Sequence, residues 1–537
     1  MKASDLFVKC LENEWVEYIF WVPWEENLDL VESLRNSKIE LILTRNEQTA
    51  VFMAANYWRF TWKVWVALAT LWPWATNMVT WVAYAQLWWM PVLVITWQKP
   101  IKKSKQGQFQ VIDIISMMKP ITKFATWIAN WARIPSTIRN AFKIATEERP
   151  WAVHIEFAED ISAEVVDSDY KPLPSTHPRR PEIDEKMLNR LKEKLENATS
   201  PIILVWAWAN RKLITKYLTK FILKTWMPFF TSQMWKWVVD ERLSQCIWTA
   251  ALTENDYIHD AINESDLIIT VWYDVIEKPT NLIEHWKKEA IHINFYPAQI
   301  DDVYTPSMEV VWDIANTFWQ LFEADIDTSN WEFGRIYQIA EQNREKLEEN
   351  FKLEEKETKL MPRKLAEDLR SSLDDFDIVS LDNGLYKVWM ARNYKAYAPN
   401  SIILDNALAT MWAGLASWMV AKMVLPKQKS VVISGDWGFV MNLWDLETAV
   451  RLWNDLVVII LNDNAYWMIK WKQKWAWFEE YWLDLPNPDF VKLAESFGAN
   501  WMKVEHKDDF KPTLEKALKM SWVTVIEVMF KYPENIS

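Results

Sequence analysis

Two acidic segments follow strand-like runs near the end of the chain. Residues 431 to 434 lead into Gly435-Asp436-Trp437-Gly438, and residues 456 to 461 lead into Asn462-Asp463-Asn464. Apart from Ser434, both runs are apolar, which is typical of strands in parallel sheets. Because open parallel sheets bind ligands at the carboxyl ends of their strands, we expect Asp436 and Asp463 to face one crevice.

The chemistry expected of this pair is the binding of a hard cation. Two carboxylates could share Mg²⁺ with a backbone carbonyl and water. Such an ion would hold a diphosphate, and backbone N–H groups at the start of the following helix, from Gly435 to Gly438, would take phosphate oxygens. The alternative is that Asp436 is only a turn residue and Asp463 only caps a strand.

Glycine is scarce and tryptophan abundant, with 7 Gly and 39 Trp in 537 residues. Together they make about 8.6% of the chain, near the ordinary glycine level of about 7%. Several tryptophans, such as those at 72, 74, 88 and 89, stand beside proline or after apolar runs, where turns need positive φ. We therefore hypothesise that the gene uses UGA for glycine and that many of these tryptophans are glycines. The alternative is a true Trp-rich protein; Trp389 and Trp471 are our candidates for genuine tryptophans.

The remaining sequence predicts three α/β domains. Apolar runs alternate with helical patterns, which favours doubly wound parallel sheets. We expect an N-terminal domain at 1–165, a proline-rich linker at 166–185, a central domain at 186–328, a helical connector at 329–364 and a C-terminal domain at 365–537. A net charge of -13 without a basic stripe argues against nucleic acid. Without a long apolar run or a cysteine framework, we expect a cytoplasmic protein that does not enter a membrane.

The segment from Gly435 to Gly438, together with Asn462-Asp463, resembles the diphosphate and magnesium motif of thiamine-diphosphate enzymes, and the chain as a whole resembles their acetolactate synthase group. The resemblance implies pyrimidine-binding, central and diphosphate-binding domains, in that order. It implies thiamine diphosphate and Mg²⁺ as cofactors, with Asp436, Asp463 and the carbonyl of Ala465 as metal ligands. Many relatives carry Asn where Asp463 stands, and the adjacent Asn464 could compete for its role.

The resemblance also assigns residues in the N-terminal domain. Glu47, within Arg45-Asn46-Glu47-Gln48, stands where the family carries the glutamate that contacts N1' of the aminopyrimidine, although the family usually has His at position 46. With Trp read as Gly, residues 72 to 77 become a Gly-Pro-Gly-Ala-Thr-Asn loop, so Trp72, Trp74 and Asn77 are candidate cofactor contacts. Phe109-Gln110 matches a pair that lines the reacting centre, and Gln110 is a candidate substrate contact. Without the resemblance, Glu47 would be an ordinary polar loop residue and Gln110 a surface amide.

Thr410-Met411-Trp412, read as Thr-Met-Gly, resembles the segment in which a bulky residue bends the cofactor into a V shape. Met411 would be that residue, with Thr410 beside it; by itself Met411 would be core filler. The segment from Asp382 to Arg392 resembles the start of the same domain in catabolic acetolactate synthases, which also carry a Trp at the position of Trp389.

The implied reaction condenses two pyruvate molecules to 2-acetolactate with loss of CO₂. Lys472 stands where biosynthetic members tend to have a Trp that favours 2-ketobutyrate, so we expect pyruvate as acceptor, with other small 2-keto acids left open. FAD is left open but not predicted. The family implies a homodimer or homotetramer with the active site at the subunit interface; a regulatory subunit is unknown. The alternatives are a 2-keto acid decarboxylase, a pyruvate oxidase or a noncatalytic Trp-rich binding protein.

Overall fold

The computed structural model describes most of the chain in detail. The described residues are 1–102, 107, 109–167, 169–176, 181–206, 212–250, 258–274, 288–300, 304–354, 356–411, 413–441, 443–452, 455–481, 483 and 486–533. The chain divides into two compact units. One contains the N-terminal sheet together with most of α16 and α18, and the other contains the central and C-terminal sheets.

The N-terminal sheet has six parallel strands in the order β2-β1-β3-β4-β6-β5. Its strands are β1 Tyr18–Trp21, β2 Glu40–Leu43, β3 Trp65–Leu68, β4 Val92–Gln98, β5 Phe124–Ile128 and β6 Val153–Ala158, and its helices are α1 Ala3–Asn13, α2 Leu28–Arg35, α3 Glu47–Thr61, α4 Trp74–Asn77, α5 Val79–Leu87, α6 Ile114–Met118, α7 Ile134–Thr146 and α8 Glu159–Ser162. Strands β3 and β6 are buried along their whole length, as expected when helices cover both faces.

The central sheet also has six parallel strands, in the order β12-β11-β10-β7-β8-β9. Its strands are β7 Pro201–Val205, β8 Phe229–Ser232, β9 Cys246–Ala250, β10 Leu267–Val271, β11 Glu289–Asn294 and β12 Met308–Val311, and the helices of this region are α9 Glu185–Glu196, α10 Lys212–Thr225, α11 Ile258–Glu264, α12 Ile314–Glu323 and the long α13 Gly334–Glu354. Asp184 and Asp313 cap α9 and α12 by accepting backbone N–H bonds in the first turn.

The C-terminal sheet has the order β14-β13-β15-β16-β18-β17, which repeats the order of the N-terminal sheet. Its strands are β13 Ile378–Leu381, β14 Ile402–Leu404, β15 Ser430–Gly435, β16 Leu456–Asn462, β17 Asn500–Val504 and β18 Thr524–Met529, and its helices are α14 Pro362–Ser372, α15 Tyr386–Asn393, α16 Ala413–Val424, α17 Asp436–Met441, α18 Asp445–Leu452, α19 Trp467–Trp475, α20 Phe490–Ser496 and α21 Phe510–Ala517. The chain crosses from β14 past β13 to β15, so β13 and β15 flank a topological switch point, where such sheets bind ligands.

The prediction of three doubly wound parallel sheets is confirmed, because all three sheets pair their strands in parallel and alternate them with helices. None of the helices in the described part of the chain combines the length and the apolar character needed to span a membrane. The predicted domain bounds stay predictions. Helix α13 lies within the segment 329–364 that we expected to be a helical connector.

Candidate active site

The ends of two neighbouring strands bring Asp436 and Asp463 together. Strands β15 and β16 pair in register, with Gly435 opposite Leu461, so the next residues of both strands emerge at one edge. Asp436 opens α17 and is buried. Its Oδ1 accepts the backbone N–H of Trp437 at 2.8 Å, and its Oδ2 accepts the backbone N–H of Asn464 at 2.9 Å. The acidic ends of both strands therefore form one site.

The electrostatics of this site favour a bound cation. Burial, together with the negative charge of Asp436, raises the pKa of Asp463 to about 7. Burial also raises the pKa of Asp436, although hydrogen bonds from Asn487 and from backbone N–H groups oppose the rise. Two buried carboxylates that repel each other are stabilised by a shared positive charge. Among the described residues, only two carboxylates meet here, and no group of three or more His, Cys, Asp or Glu side chains is arranged to bind a metal.

The sequence analysis missed Asn487, which connects the site. Its Nδ2 lies 2.7 Å from Oδ2 of Asp436, 2.9 Å from Oδ1 of Asn462 and 3.1 Å from Oδ1 of Asn464. Asn487 stands between Pro486 and Pro488, and both prolines restrict the backbone around it. A polar residue held between two prolines was the available signal, but nothing in the sequence placed it beside Asp436.

A close approach between β13 and α17 shapes the same edge. Oδ2 of Asp382, which follows β13, accepts a hydrogen bond from Ser434 Oγ at 2.9 Å. A Cβ at Gly438 would collide with this carboxylate, and a Cβ at Gly414 would lie 2.9 Å from the backbone nitrogen of Asp382. Only glycine lets α16 and α17 approach Asp382 so closely, which explains two of the seven glycines.

The loop that carries Thr410 and Met411 is held by a buried lysine. Both residues lie between β14 and α16 and are half-buried. Asn383 Nδ2 donates to the carbonyl of Thr410 at 2.6 Å. Nζ of Lys387 donates to Oδ1 of Asn383, to the carbonyl of Asp405 and, at 2.7 Å, to Oδ1 of Asn406. The sequence analysis did not single out Lys387. Trp412, the third residue of this predicted motif, lies outside the described residues.

Glu47 is the first residue of α3 and is buried. Asn46 caps the helix, because its side chain accepts the backbone N–H of Gln48 at 2.8 Å. Nδ2 of Asn77 donates to Oε2 of Glu47 at 3.1 Å. Burial raises the pKa of Glu47, and the hydrogen bond from Asn77 opposes this rise. Two predicted site residues, Glu47 and Asn77, therefore meet directly.

Helix α18 packs on the start of α3 within the same compact unit. Nε of Arg45 pairs with Oε2 of Glu447 at 2.7 Å, and Thr49 Oγ1 donates to Oδ2 of Asp445. Nη2 of Arg451 donates to the carbonyl of Leu43 at 2.7 Å. Burial raises the pKa of Asp445 to about 6, although the hydrogen bonds from threonines oppose it. These contacts fix the segment that presents Glu47, and they join residues about 400 positions apart, which sequence patterns did not reveal.

The other predicted residues of the N-terminal domain lie on loops or, for Trp74, at the start of a short helix. Trp72 is 42% exposed and precedes Pro73, and Trp74 begins α4 with its ring centroid 4.4 Å from that of Trp24. Gln110 lies on a turn before α6 with a positive φ of 56°, next to the exposed Phe109.

Three family models match the chain in order along its length. The thiamine pyrophosphate enzyme N-terminal TPP binding domain matches residues 1–117, the central domain matches residues 188–321 and the C-terminal TPP binding domain matches residues 382–528. The chain belongs to the thiamine pyrophosphate enzymes. The predicted family is thereby confirmed. The two matched TPP binding domains support thiamine diphosphate as the cofactor.

The similarity of this thiamine pyrophosphate enzyme to acetolactate synthases extends over the whole chain. It is 28% identical to the acetolactate synthase of Bacillus subtilis (strain 168), over 100% of this chain and 94% of the relative. It is 26% identical to the catabolic acetolactate synthase of Raoultella terrigena, over 99% of this chain and 96% of the relative. It is also 26% identical to the acetolactate synthase large subunit of Haemophilus influenzae, over 97% of this chain and 92% of the relative.

The donor set at the C-terminal edge fits a metal-bound diphosphate. Asp436 and Asp463 supply carboxylate oxygens, which Mg²⁺ prefers, and burial raises the pKa of both, so a cation between them would stabilise their charged forms. The indole of Trp437 lies beside them, with its ring centroid 4.8 Å from that of Tyr466. Its Nε1 is buried and has no hydrogen-bond partner among the residues that the structure describes. The two carboxylates therefore fit a metal-bound diphosphate, whereas the indole N–H of Trp437 beside them lacks a hydrogen-bond acceptor in the described part of the chain.

Proposed function

We propose that this thiamine pyrophosphate enzyme is an acetolactate synthase that condenses two pyruvate molecules to 2-acetolactate with release of CO₂. The observation that supports this most directly is the pair Asp436 and Asp463 on neighbouring strand ends, in a chain that resembles acetolactate synthases over its full length. We further propose Mg²⁺ as the bound ion, with Asp436, Asp463 and the carbonyl of Ala465 as ligands. FAD is not part of this proposal.

When bound, thiamine diphosphate supplies the electron sink that a 2-keto acid needs to lose CO₂. The protein's own contribution begins at Glu47, whose pKa is raised by burial and whose Oε2 accepts a hydrogen bond from Asn77. We assign Glu47 to the aminopyrimidine nitrogen N1' and Gln110 to the substrate. Asp436, Asp463 and the backbone N–H groups after Gly435 would hold the diphosphate, and the loop with Thr410 and Met411 would position the pyrimidine.

The assay that tests this function measures acetolactate and CO₂ formed from pyruvate, with thiamine diphosphate and Mg²⁺ added. One acetolactate for each CO₂ is expected. Release of CO₂ without acetolactate would instead identify a 2-keto acid decarboxylase or, with consumption of oxygen, a pyruvate oxidase. We also propose a homodimer or homotetramer; sedimentation of the active protein as a monomer would contradict it.

We propose in addition that many of the tryptophans are glycines in the native protein. Among the described residues, ten non-glycine residues have positive φ, and six of them are tryptophans: Trp15, Trp62, Trp89, Trp226, Trp272 and Trp477. Five of these six come at or just after the end of a helix, the place where glycine most often terminates helices. A positive φ is strained for a residue with an indole side chain.

The hydrogen bonds at three of these helix ends have the pattern of glycine-terminated helices. The backbone N–H of the residue after the tryptophan bonds to a carbonyl five positions back: Val16 to Leu11 at 3.2 Å, Met90 to Ala85 at 2.9 Å and Phe478 to Gln473 at 2.8 Å. This is the bonding of a Schellman motif, whose left-handed residue is usually glycine. Trp15, Trp89 and Trp477 occupy that left-handed position.

Packing in the sheets supports the same proposal. The ring centroids of Trp65 and Tyr57 are 3.0 Å apart, which is shorter than the 4.5–7 Å that aromatic pairs prefer. The buried indole nitrogens of Trp65, Trp97, Trp206 and Trp418 have no hydrogen-bond partner in the described part of the chain. An indole N–H normally finds a partner when it is buried. These positions are therefore better suited to a residue without a side chain.

Trp389 differs from this group. It lies in the middle of α15 and is 6% exposed, and its ring centroid is 5.7 Å from that of Tyr532. This is an ordinary buried aromatic contact, which supports a genuine tryptophan.

Mass spectrometry of the peptide covering residues 64 to 99, from protein made in its native cells, tests the substitution. Glycine at 72 and 74 is expected and would restore the loop that precedes Asn77. Tryptophan at both positions would contradict the substitution and favour a noncatalytic Trp-rich binding protein.

A further inference from the structure

A cavity of about 640 Å³ lies between the central sheet and the first helices of the C-terminal domain, away from the strand ends described above. Strand β9, helix α13 and helices α14 and α15 all contribute to its wall. Its size lies within the range of about 300–1,000 Å³ that is typical of small-molecule sites. The proposed acetolactate synthase activity assigns no role to it.

The wall of this cavity is rich in cationic side chains, although the chain as a whole has a net charge of -13. Six cationic residues line it: Lys236, Arg344, Arg363, Arg370, Arg392 and Lys395. Four acidic residues line it as well: Glu241, Glu348, Glu367 and Asp375. The lining therefore carries an excess of positive charge.

All four acids are already paired with cations. Glu241 forms a buried ion pair with Lys236, with Nζ 2.9 Å from Oε2, and both side chains are 2% exposed. Glu241 Oε2 also accepts the backbone N–H of Ala396 at 3.0 Å. Asp375 pairs with Arg242 at 2.9 Å. Glu348 and Glu367, which are 67% and 53% exposed, both pair with Arg363.

The arginines are held in place by the protein rather than by solvent. Nη2 of Arg344 donates to the carbonyl of Cys246 at 2.9 Å. Arg370 donates to the hydroxyl of Tyr394 at 2.9 Å and to the carbonyl of Leu373 at 2.7 Å. Fixed guanidinium groups recognise planar oxyanions well, because their donors need no reorganisation on binding.

Arg363 retains an unused donor. Its side chain is 15% exposed and lies over the ring of Phe351. Nε and Nη2 bond to Glu367 and Glu348, at 2.5 and 2.7 Å. Nη1 is buried and has no hydrogen-bond partner among the described residues. A buried N–H without an acceptor destabilises the free protein, and an oxyanion would satisfy it.

The same wall carries apolar surface from Ile247, Leu347, Phe351 and Leu373. From this combination we infer that the cavity is a binding site for a small organic anion, whose phosphate or carboxylate contacts the arginines while an apolar body packs on these side chains. The site lies where the central and C-terminal domains meet within one compact unit.

Calorimetric titration of the full-length enzyme, loaded with thiamine diphosphate and Mg²⁺, tests this inference. The probes are phenyl phosphate and phenylacetate, which share a ring and differ in the oxyanion, with phenylacetamide as a neutral comparison. Binding of either anion, but not of the amide, is expected, and the tighter anion identifies the oxyanion that the site selects.

Variants connect the binding to the cavity. R363Q and K395Q each remove one cation of the lining, and each is expected to weaken anion binding about ten- to hundredfold. R335Q is the matched control, because Arg335 lies on α13 outside the cavity and is 58% exposed. If R363Q fails to fold, K395Q provides the same test. The inference would be overturned if neither anion binds, or if R363Q and K395Q both bind the anions as tightly as the parent protein does.

Discussion

The backbone N–H of Asn464 donates a hydrogen bond of 2.9 Å to Oδ2 of Asp436, and this bond connects the ends of two neighbouring strands. Asn487 reinforces the connection by contacting Asp436 and Asn464 with one amide nitrogen. An amide that orients metal ligands in this way acts on the metal without binding it. Asn487 is therefore expected to determine how well the proposed magnesium site is formed.

We predict that Asn487→Ala lowers the affinity for Mg²⁺ about ten- to hundredfold, as is typical when a residue that supports metal ligands is removed. The measurement is the Mg²⁺ concentration at half-maximal activity, with thiamine diphosphate saturating. Asn500→Ala on β17 is the control, because Asn500 has no place in this network. Equal Mg²⁺ requirements in the two variants would contradict the role given to Asn487.

Glu47→Gln should lower kcat by about 10²- to 10⁴-fold, the usual contribution of a positioned proton-transfer group. The amide keeps the shape of the side chain and its contact with Asn77, but it cannot exchange a proton at Oε1. Thiamine diphosphate should still bind, which a titration of the apoenzyme would show. A variant with near-normal turnover would remove Glu47 from the proposed mechanism.

Lys387→Met should loosen the loop that carries Thr410 and Met411. Its ammonium holds Asn383, Asp405 and Asn406 together, and its loss leaves buried oxygens without donors, at a cost of about 1–3 kcal/mol. Because Lys387 acts through the loop, we expect KM for thiamine diphosphate to rise while KM for pyruvate changes little. Lys519→Met, on the exposed surface, provides the comparison. If Lys387→Met lowers stability but leaves KM for thiamine diphosphate unchanged, Lys387 stabilises the fold without positioning the loop for the cofactor.

Glu156 on β6 makes stability depend on pH. Burial raises its pKa from 4.5 to about 7, so the folded protein binds this proton more tightly than the unfolded chain. The resulting stabilisation is complete below about pH 4.5 and is lost as the pH rises through about 7. Over this window the loss amounts to about 3 kcal/mol.

Glu156→Gln should remove this part of the pH dependence, so that the free energy of unfolding falls less between pH 5 and 8 than in the parent protein. Denaturant titrations at several pH values measure the difference. Glu40→Gln, at an exposed position of the same sheet, should leave the slope unchanged. If the free energy of unfolding falls equally with pH in the parent and in Glu156→Gln, folding does not raise the pKa of Glu156.

Local sequence patterns were sufficient for the fold class. Runs such as 431–433 and 456–461 are apolar throughout, a pattern typical of strands covered on both faces. Once the strands are parallel and neighbouring, their carboxyl ends share one edge, so Asp436 and Asp463 could be paired without coordinates. The turn conformations were predicted less well: of the tryptophans at 72, 74, 88 and 89, where positive φ was expected, only Trp89 has it.

Contacts between distant segments were not visible in the sequence. Asn487 reaches Asp436 across 51 positions, and Asp445 reaches Thr49 across 396. Nothing in the sequence distinguishes Lys387 from a surface lysine. Its role in holding the loop follows only from its burial among the oxygens of Asn383, Asp405 and Asn406. Arg344 of the cavity likewise belongs to a helix, α13, whose Glu- and Lys-rich sequence is typical of a solvated surface.

The sequence by itself determined which segments become buried strands, where these strands end and which acidic residues follow them, because hydrophobic periodicity and strand-end chemistry are local properties. The tertiary structure alone decided which distant side chains complete the site and where cationic residues gather around a cavity. Those arrangements depend on strand order and helix packing, which bring together residues that have no relation along the chain.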